Sequence, residues 1–152
     1  MADRVPIVTN RRALHEFEVL ERLEAGMVLT GTEVKSLREG TANLRDAYVF
    51  VEGGEAFVVG LHIPPYAAGN RYNHEPDRIR KLLLHRREID RMRGRVQERG
   101  LTMVPLVLYW KDGRVKLELG LARGKNVRDK RATEAARDAR REIDRAMKER
   151  AR

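Results

Sequence analysis

The chain is predicted to be mainly β: a six-stranded antiparallel barrel with about three short helices, followed by a basic C-terminal tail that is disordered when free. Three observations predict it. Period-two apolar patterning dominates residues 1–122, glycine-centred turns join pairs of β-branched and aromatic runs, and beyond Lys125 the pattern becomes alanine at helical spacing. The barrel is assigned to residues 1–122 and the tail to residues 123–152.

In chain order, Phe17, Val19 and Leu23 alternate with Glu16, Glu18, Arg22 and Glu24, which predicts a first strand. Ala25-Gly26 is read as a turn that returns Met27-Val28-Leu29 antiparallel to it. Thr30 and Glu33 have capping-box spacing ahead of Val34 and Leu37, and Gly40 closes this short helix. Tyr48 to Val51 and Ala56 to Val59 form a hairpin over Gly53-Gly54. After Pro64-Pro65, the segment from Tyr66 to Glu75 has no period and is read as a surface loop. Pro76 and Asp77 predict a helix start for Ile79, Leu82 and Leu83, and a second helix follows over Ile89, Met92 and Val96 to Gly100. Met103 to Trp110 and Arg114 to Leu119 flank Asp112-Gly113, a strong hairpin signal. A small sheet of this kind removes its exposed edges by curling, so an oligonucleotide-binding-type (OB-like) barrel is the closest architecture.

In the tail, Ala132, Ala135, Ala136, Ala139, Ile143, Ala146 and Met147 recur at helical spacing. A face made mostly of alanine buries little area, and an isolated helix of this length is marginal in water. The tail is therefore expected to order only on a partner and to bury little against the barrel.

Charge points to the kind of partner. The 152 residues carry 32 lysines and arginines against 23 acidic residues, a formal net charge of +9. The last thirty residues hold 12 of the basic and only 6 of the acidic groups. Such an excess favours a polyanion. No apolar run approaches the roughly 18 residues of a membrane span, and the first ten residues lack a secretory pattern, so a cytoplasmic protein is expected. The absence of cysteine excludes disulfides, thiolate metal sites and cysteine nucleophiles.

Catalysis lacks a candidate. The stretch Gly120-Leu-Ala-Arg-Gly-Lys125-Asn126 is one residue short of a phosphate-binding loop and has asparagine where the hydroxyl belongs. Glu16, Glu18, Glu21 and Glu24 fall on alternate strand faces and cannot all converge; Glu24, beside Gly26, is the one singled out. His15, His62, His74 and His85 show no metal-ligand spacing. His15 follows Asn10-Arg11-Arg12, where an imidazole among guanidiniums either stacks on an unpaired base or simply caps a strand. Lys81-Leu82-Leu83-Leu84 has one leucine too many for a single buried face, which leaves one to point outward. No enzyme activity, metal or cofactor is expected.

The ordered blocks Asn10-Arg-Arg-Ala-Leu-His15, Glu24-Ala-Gly26, Gly31-Thr-Glu-Val-Lys-Ser-Leu-Arg38, Asn43-Leu-Arg-Asp46, Arg80-Lys-Leu-Leu-Leu-His85, Gly100-Leu-Thr-Met-Val-Pro105, Gly120-Leu-Ala-Arg-Gly-Lys125 and Asp129-Lys-Arg131 closely resemble the bacterial SsrA-binding (small protein B) family. The resemblance runs from residue 10 to about residue 131. It implies a role in trans-translation, the rescue of stalled ribosomes. A member of this family binds the tRNA-like part of transfer-messenger RNA and supports its charging by alanyl-tRNA synthetase. It delivers the RNA with elongation factor Tu to the ribosome, where the tail enters the messenger channel of the small subunit at the decoding centre.

Carried over by motif, the resemblance implies RNA contacts at Asn10, Arg11, Arg12, His15, Glu24, Lys81 and Leu83, and tail contacts with the ribosome at Lys125, Arg128, Asp129, Lys130 and Arg131. It implies no membrane partner, and a monomer is expected. Leu14, Asn126 and Arg128 depart from the residues usual in the family, the first two by removing positive charge. A small structural or accessory ribosomal protein is the alternative that shares a basic tail and a small barrel.

Overall fold

The computed structural model describes residues 4–69, 72–125 and 139–147, leaving out the side chains of residues 98 and 99. The elements run β1 (Val5–Thr9), α1 (Arg11–Glu16), β2 (Phe17–Met27), α2 (Gly31–Glu39), β3 (Tyr48–Glu52), β4 (Glu55–Val59), β5 (Arg80–Leu83), α3 (Arg86–Arg99), β6 (Thr102–Lys111) and β7 (Arg114–Gly124). A further helix, α4, covers residues 139–147. The seven strands form one sheet in the order β1-β6-β7-β2-β5-β4-β3, with every neighbouring pair antiparallel.

The sheet curls without closing. Register shifts between Pro6 and Val8, Val19 and Glu21, and Pro105 and Val107 each bend a strand, and β3 comes to lie against β6 with no ladder between them among the described residues. This is an open OB-like barrel. Its interior is filled by Leu37 of α2, Met92 of α3, and Leu82, Leu108, Leu117 and Leu119 from the strands, each no more than 2 % exposed.

Local turn chemistry places most elements where the sequence predicts them. The β3–β4 hairpin turns on Gly53 and Gly54, whose φ values of 61° and 76° favour glycine. The β6–β7 hairpin turns on Asp112 and Gly113, both at positive φ. Helix α2 carries the expected capping box: the Thr30 hydroxyl accepts from the Glu33 N–H at 3.4 Å, and Glu33 Oε1 accepts from the Thr30 N–H at 2.8 Å. Helix α3 ends at Gly100 in the left-handed region.

Four expectations are corrected. The sheet has seven strands rather than six: Val5–Thr9 and Arg80–Leu83 are added, while Met27 continues β2 instead of starting a strand of its own; Val5–Thr9 is an edge that pairs only with β6, and Pro6 fits there because an edge tolerates a missing N–H. The segment following Asn10 is helix α1, with Asn10 as its N-cap, and not the mouth of a strand. Gly26 is no turn. Strand β2 continues through it to Met27, and a Cβ at Gly26 would stand 3.3 Å from the Leu83 Cβ, so glycine lets β5 approach closely. Arg80–Leu83 is a strand, not a helix: Arg80 and Leu82 are buried while Lys81 and Leu83 are exposed, a period-two pattern hidden by three consecutive leucines.

The tail also differs from expectation where it is described. Ala139 and Ile143 of α4 are buried against Val59, with Tyr48, Phe50, Ile79 and Met147 packed around them. Ile143 and the small Ala139 side chain let α4 sit close on the β3–β4 face, so this segment buries more than an alanine face promises. Arg140 lies 5.5 Å from the Phe50 ring centroid, and the Asp144 carboxylate lies close enough to Glu52 to raise its pKa.

Candidate nucleic-acid interface

The predicted contact residues fall into two clusters, one at each end of β2. The first lies at α1. Asn10 is only 5 % exposed; its Oδ1 accepts from the Ala13 N–H at 3.1 Å, and its Nδ2 donates to the Leu44 carbonyl at 3.2 Å and to the Pro105 carbonyl at 2.9 Å. Both amide hydrogens are engaged, and the Asn10 side chain is turned toward the protein's own carbonyls. It ties α1 to β6 and to the segment before β3.

The other side chains of this cluster face outward. Arg11 and His15 are exposed. Arg12 Nε donates to Glu16 at 3.1 Å and its Nη1 to Asp46 at 3.1 Å. The Glu16 hydrogen bond first, and then the charges of Glu16 and Asp46, push the Arg12 pKa up, so this exposed guanidinium is charged. The Lys125 N–H donates to the Glu16 carbonyl at 2.9 Å, which brings the exposed Lys125 to the same end. Arg128, Asp129, Lys130 and Arg131 lie outside the described residues.

The second cluster forms where β5 crosses β2. Gly26 pairs with Leu83 and also with Lys116, and Glu24 projects from the same outer face two residues along β2. Glu24, Gly26, Lys81, Leu83, His85 and Lys116 line one open groove. Leu83 is 53 % exposed, an apolar platform without a cover. Lys81 Nζ is 2.9 Å from Glu55 Oε1.

Glu24 is held by its neighbours. Tyr109 Oη donates to Glu24 Oε2 at 2.5 Å, and Lys111 Nζ reaches both carboxylate oxygens at 3.3 and 3.2 Å. The Tyr109 hydrogen bond, acting against partial burial and aided by Lys111, holds the Glu24 pKa below the usual carboxylate range. Burial first, and then Glu24, push the Tyr109 phenol up. The site therefore offers an ionised acceptor, an exposed apolar plane and ammonium groups within one groove.

Lys116, Tyr109 and Lys111 were not among the residues picked from sequence. Alternation within Arg114-Val115-Lys116-Leu117 puts Lys116 on the outer face, but its place opposite Gly26 comes from strand register alone. The two clusters stand about 25 Å apart at a rise of about 3.3 Å per strand residue, so they suit a ligand with extended, folded surfaces. Among the described residues there is no cluster of metal-binding side chains and no helix long and apolar enough to cross a membrane.

An open antiparallel barrel, with cationic groups at both ends of one strand and an exposed leucine beside an ionised carboxylate, defines an RNA-binding protein of the OB-like class. A family model described as SmpB protein matches residues 7–149. The SsrA-binding protein of Pelotomaculum thermopropionicum is 55% identical over 149 residues, 97% of each chain. That of Desulforamulus reducens is 57% identical over 145 residues, 95% of this chain and 90% of its own. A solved structure described as "tmRNA-SmpB: a journey to the center of the bacterial ribosome" is 47% identical with a TM-score of 0.68, covering 83% of this chain and 89% of that one. The chain belongs to the SmpB family.

Proposed function

We propose that this protein binds the tRNA-like domain of transfer-messenger RNA and delivers it to stalled ribosomes for trans-translation. The observation that carries this reading is the Gly26–Leu83 pairing, which gathers Leu83, Glu24, Lys81 and Lys116 from three strands into one groove. An unpaired base can lie on Leu83 while Glu24 accepts from its N–H groups or from a 2′-hydroxyl, and the lysines meet phosphates. At the far end of β2, His15 provides a stacking plane while Arg11 and Arg12 provide charge; Asn10 acts by positioning α1.

The division of labour follows the charge. Residues 1–122 form the RNA-binding barrel. Residues 123–152 form the part that engages the small-subunit decoding centre and messenger channel, with Lys125, Arg128, Asp129, Lys130 and Arg131 as the contacts at its start. Alanyl-tRNA synthetase and elongation factor Tu are reached through the RNA. The protein works in the cytoplasm and is an adaptor, not an enzyme.

Titrating the protein with a tRNA-like RNA at several salt concentrations tests this. Affinity should fall steeply, with a log–log slope of roughly 0.7 to 0.9 per phosphate contact, and Leu83→Ala should weaken it. Salt-independent binding, or tight binding by the Leu83→Ala protein, would refute the assignment.

A further inference from the structure

We infer that Tyr109 is a positioning residue for RNA recognition: it holds the Glu24 carboxylate in one orientation, as an acceptor for N–H or 2′-hydroxyl donors of an unpaired nucleotide. The inference rests on the Glu24 contact proposed above and adds how that contact is built.

Strand register places Tyr109 opposite Lys116, and Lys116 opposite Gly26. Tyr109 is thus on the outer face of the sheet, where a tyrosine ordinarily keeps its hydroxyl in water. Here it is 1 % exposed. The Arg4 guanidinium covers the ring at 3.8 Å from its centroid, and the same Arg4 is held by Glu118 at 2.8 Å. Glu118 also takes Arg22 at 2.6 Å. These cations are engaged by Glu118, which leaves Glu24 to Tyr109 and Lys111.

An ionised carboxylate only accepts, with about four lone-pair positions. Tyr109 and Lys111 direct their hydrogens at Glu24 from the β6 side, and the side chain, still 38 % exposed, opens toward the groove that holds Leu83. A ligand group meeting it must be a donor. Base edges offering amino or imino hydrogens and the ribose 2′-hydroxyl satisfy this, whereas a bare carbonyl or ring-nitrogen acceptor is repelled. Because the Tyr109 hydroxyl is shielded from water, the carboxylate is fixed before RNA arrives, and less ordering is required on binding.

Tyr109→Phe removes one oxygen and keeps the ring beneath Arg4. Loss of one such hydrogen bond predicts RNA binding weaker by about three- to tenfold at neutral pH. In a Glu24→Gln background the same change should cost clearly less, since the amide oxygen can still accept from Tyr109 but no longer carries the charge that the hydroxyl orients. The acid limb supplies a second readout. Without the Tyr109 hydroxyl, the Glu24 pKa rises toward the ordinary carboxylate range, so binding should begin to fail at higher pH on acidification. Lys116 and Glu118 of β7, Lys81 of β5, Glu55 of β4, and His85, Arg86 and Glu88 at the start of α3 complete the charged surroundings. They are present in both proteins, so the difference between the two isolates Glu24.

The experiment measures affinity of the full chain for a tRNA-like RNA from pH 4.5 to 7.5, for the unaltered protein, Tyr109→Phe, Glu24→Gln and the double variant. Lys111→Met is a second probe should Tyr109→Phe melt early; its smaller loss should likewise shrink in the Glu24→Gln background. Equal losses with and without Glu24, or an unshifted acid limb, would overturn the inference. If Glu24→Gln alone binds RNA normally, the Glu24 contact fails and the inference with it. If the unaltered protein does not bind the RNA, the functional reading itself is wrong.

Discussion

Glu33 and Arg80 form an ion pair in which both side chains are completely buried, joining the first turn of α2 to β5. Arg80 also donates to the Leu61 carbonyl at 2.6 Å and to the Pro76 carbonyl at 3.0 Å, and Glu33 takes Arg78 at 2.6 Å and the Thr30 N–H at 2.8 Å. The pair sets the position of the strand that presents Lys81 and Leu83. Removing one partner strands the other charge in the core, so Arg80→Leu or Glu33→Ala should each cost about 3–5 kcal/mol. A denaturant titration checks this.

The same carboxylate makes stability depend on pH. Burial pushes the Glu33 pKa up most strongly, but Arg78, the Thr30 N–H and Arg80 together hold it below the usual range. Its folded pKa is therefore lower than its unfolded one. The stabilisation is present above the ordinary carboxylate pKa and is lost as pH falls through the depressed folded value. Glu33→Gln should flatten that acid limb in thermal melts.

Leu82 and Leu83 separate strand from helix at β5. Leu82 is 1 % exposed and Leu83 is 53 % exposed. Leu82→Ala should cost about 2–5 kcal/mol of stability. Leu83→Ala should change stability by no more than about 0.5 kcal/mol while weakening RNA binding. Comparing melts and binding curves for the two variants reads both outcomes.

Asn10 should behave as a structural cap. Its bonds to Ala13, Leu44 and Pro105 predict that Asn10→Ala loses about 1–3 kcal/mol, measured by denaturation. A weaker RNA affinity should accompany it through displacement of Arg11, Arg12 and His15.

Docking of α4 should tighten on acidification. Burial first, and then the neighbouring Asp144 carboxylate, which accepts from Glu52 once Glu52 is protonated, raise the Glu52 pKa, partly offset by Arg140. The docked form thus binds the proton more readily. Its advantage is present at low pH and is lost as pH rises through the raised docked value. Hydrogen exchange of residues 139–147 should slow as pH is lowered, after correction for intrinsic rates, and Asp144→Asn should weaken the dependence, leaving the part due to burial.

What could be read from sequence was local. Gly53-Gly54 and Asp112-Gly113 permit turns whatever surrounds them, the Thr30–Glu33 capping box closes within one helical turn, and Gly100 stops α3 by its own left-handed geometry. Family membership was legible for the same reason, since ordered blocks of residues need no coordinates.

What tertiary structure decided was where distant segments meet. Three leucines in a row leave strand and helix undetermined until Arg80 finds Glu33 and Leu82 finds the core. Gly26 resembles a turn residue until β5 passes over it. Glu24, Leu83, Lys116 and Tyr109 come from four strands, and only antiparallel register brings them to one face. A one-residue slip would turn each of those side chains inward. Register is set by long-range pairing and core packing, which no short window of the chain contains.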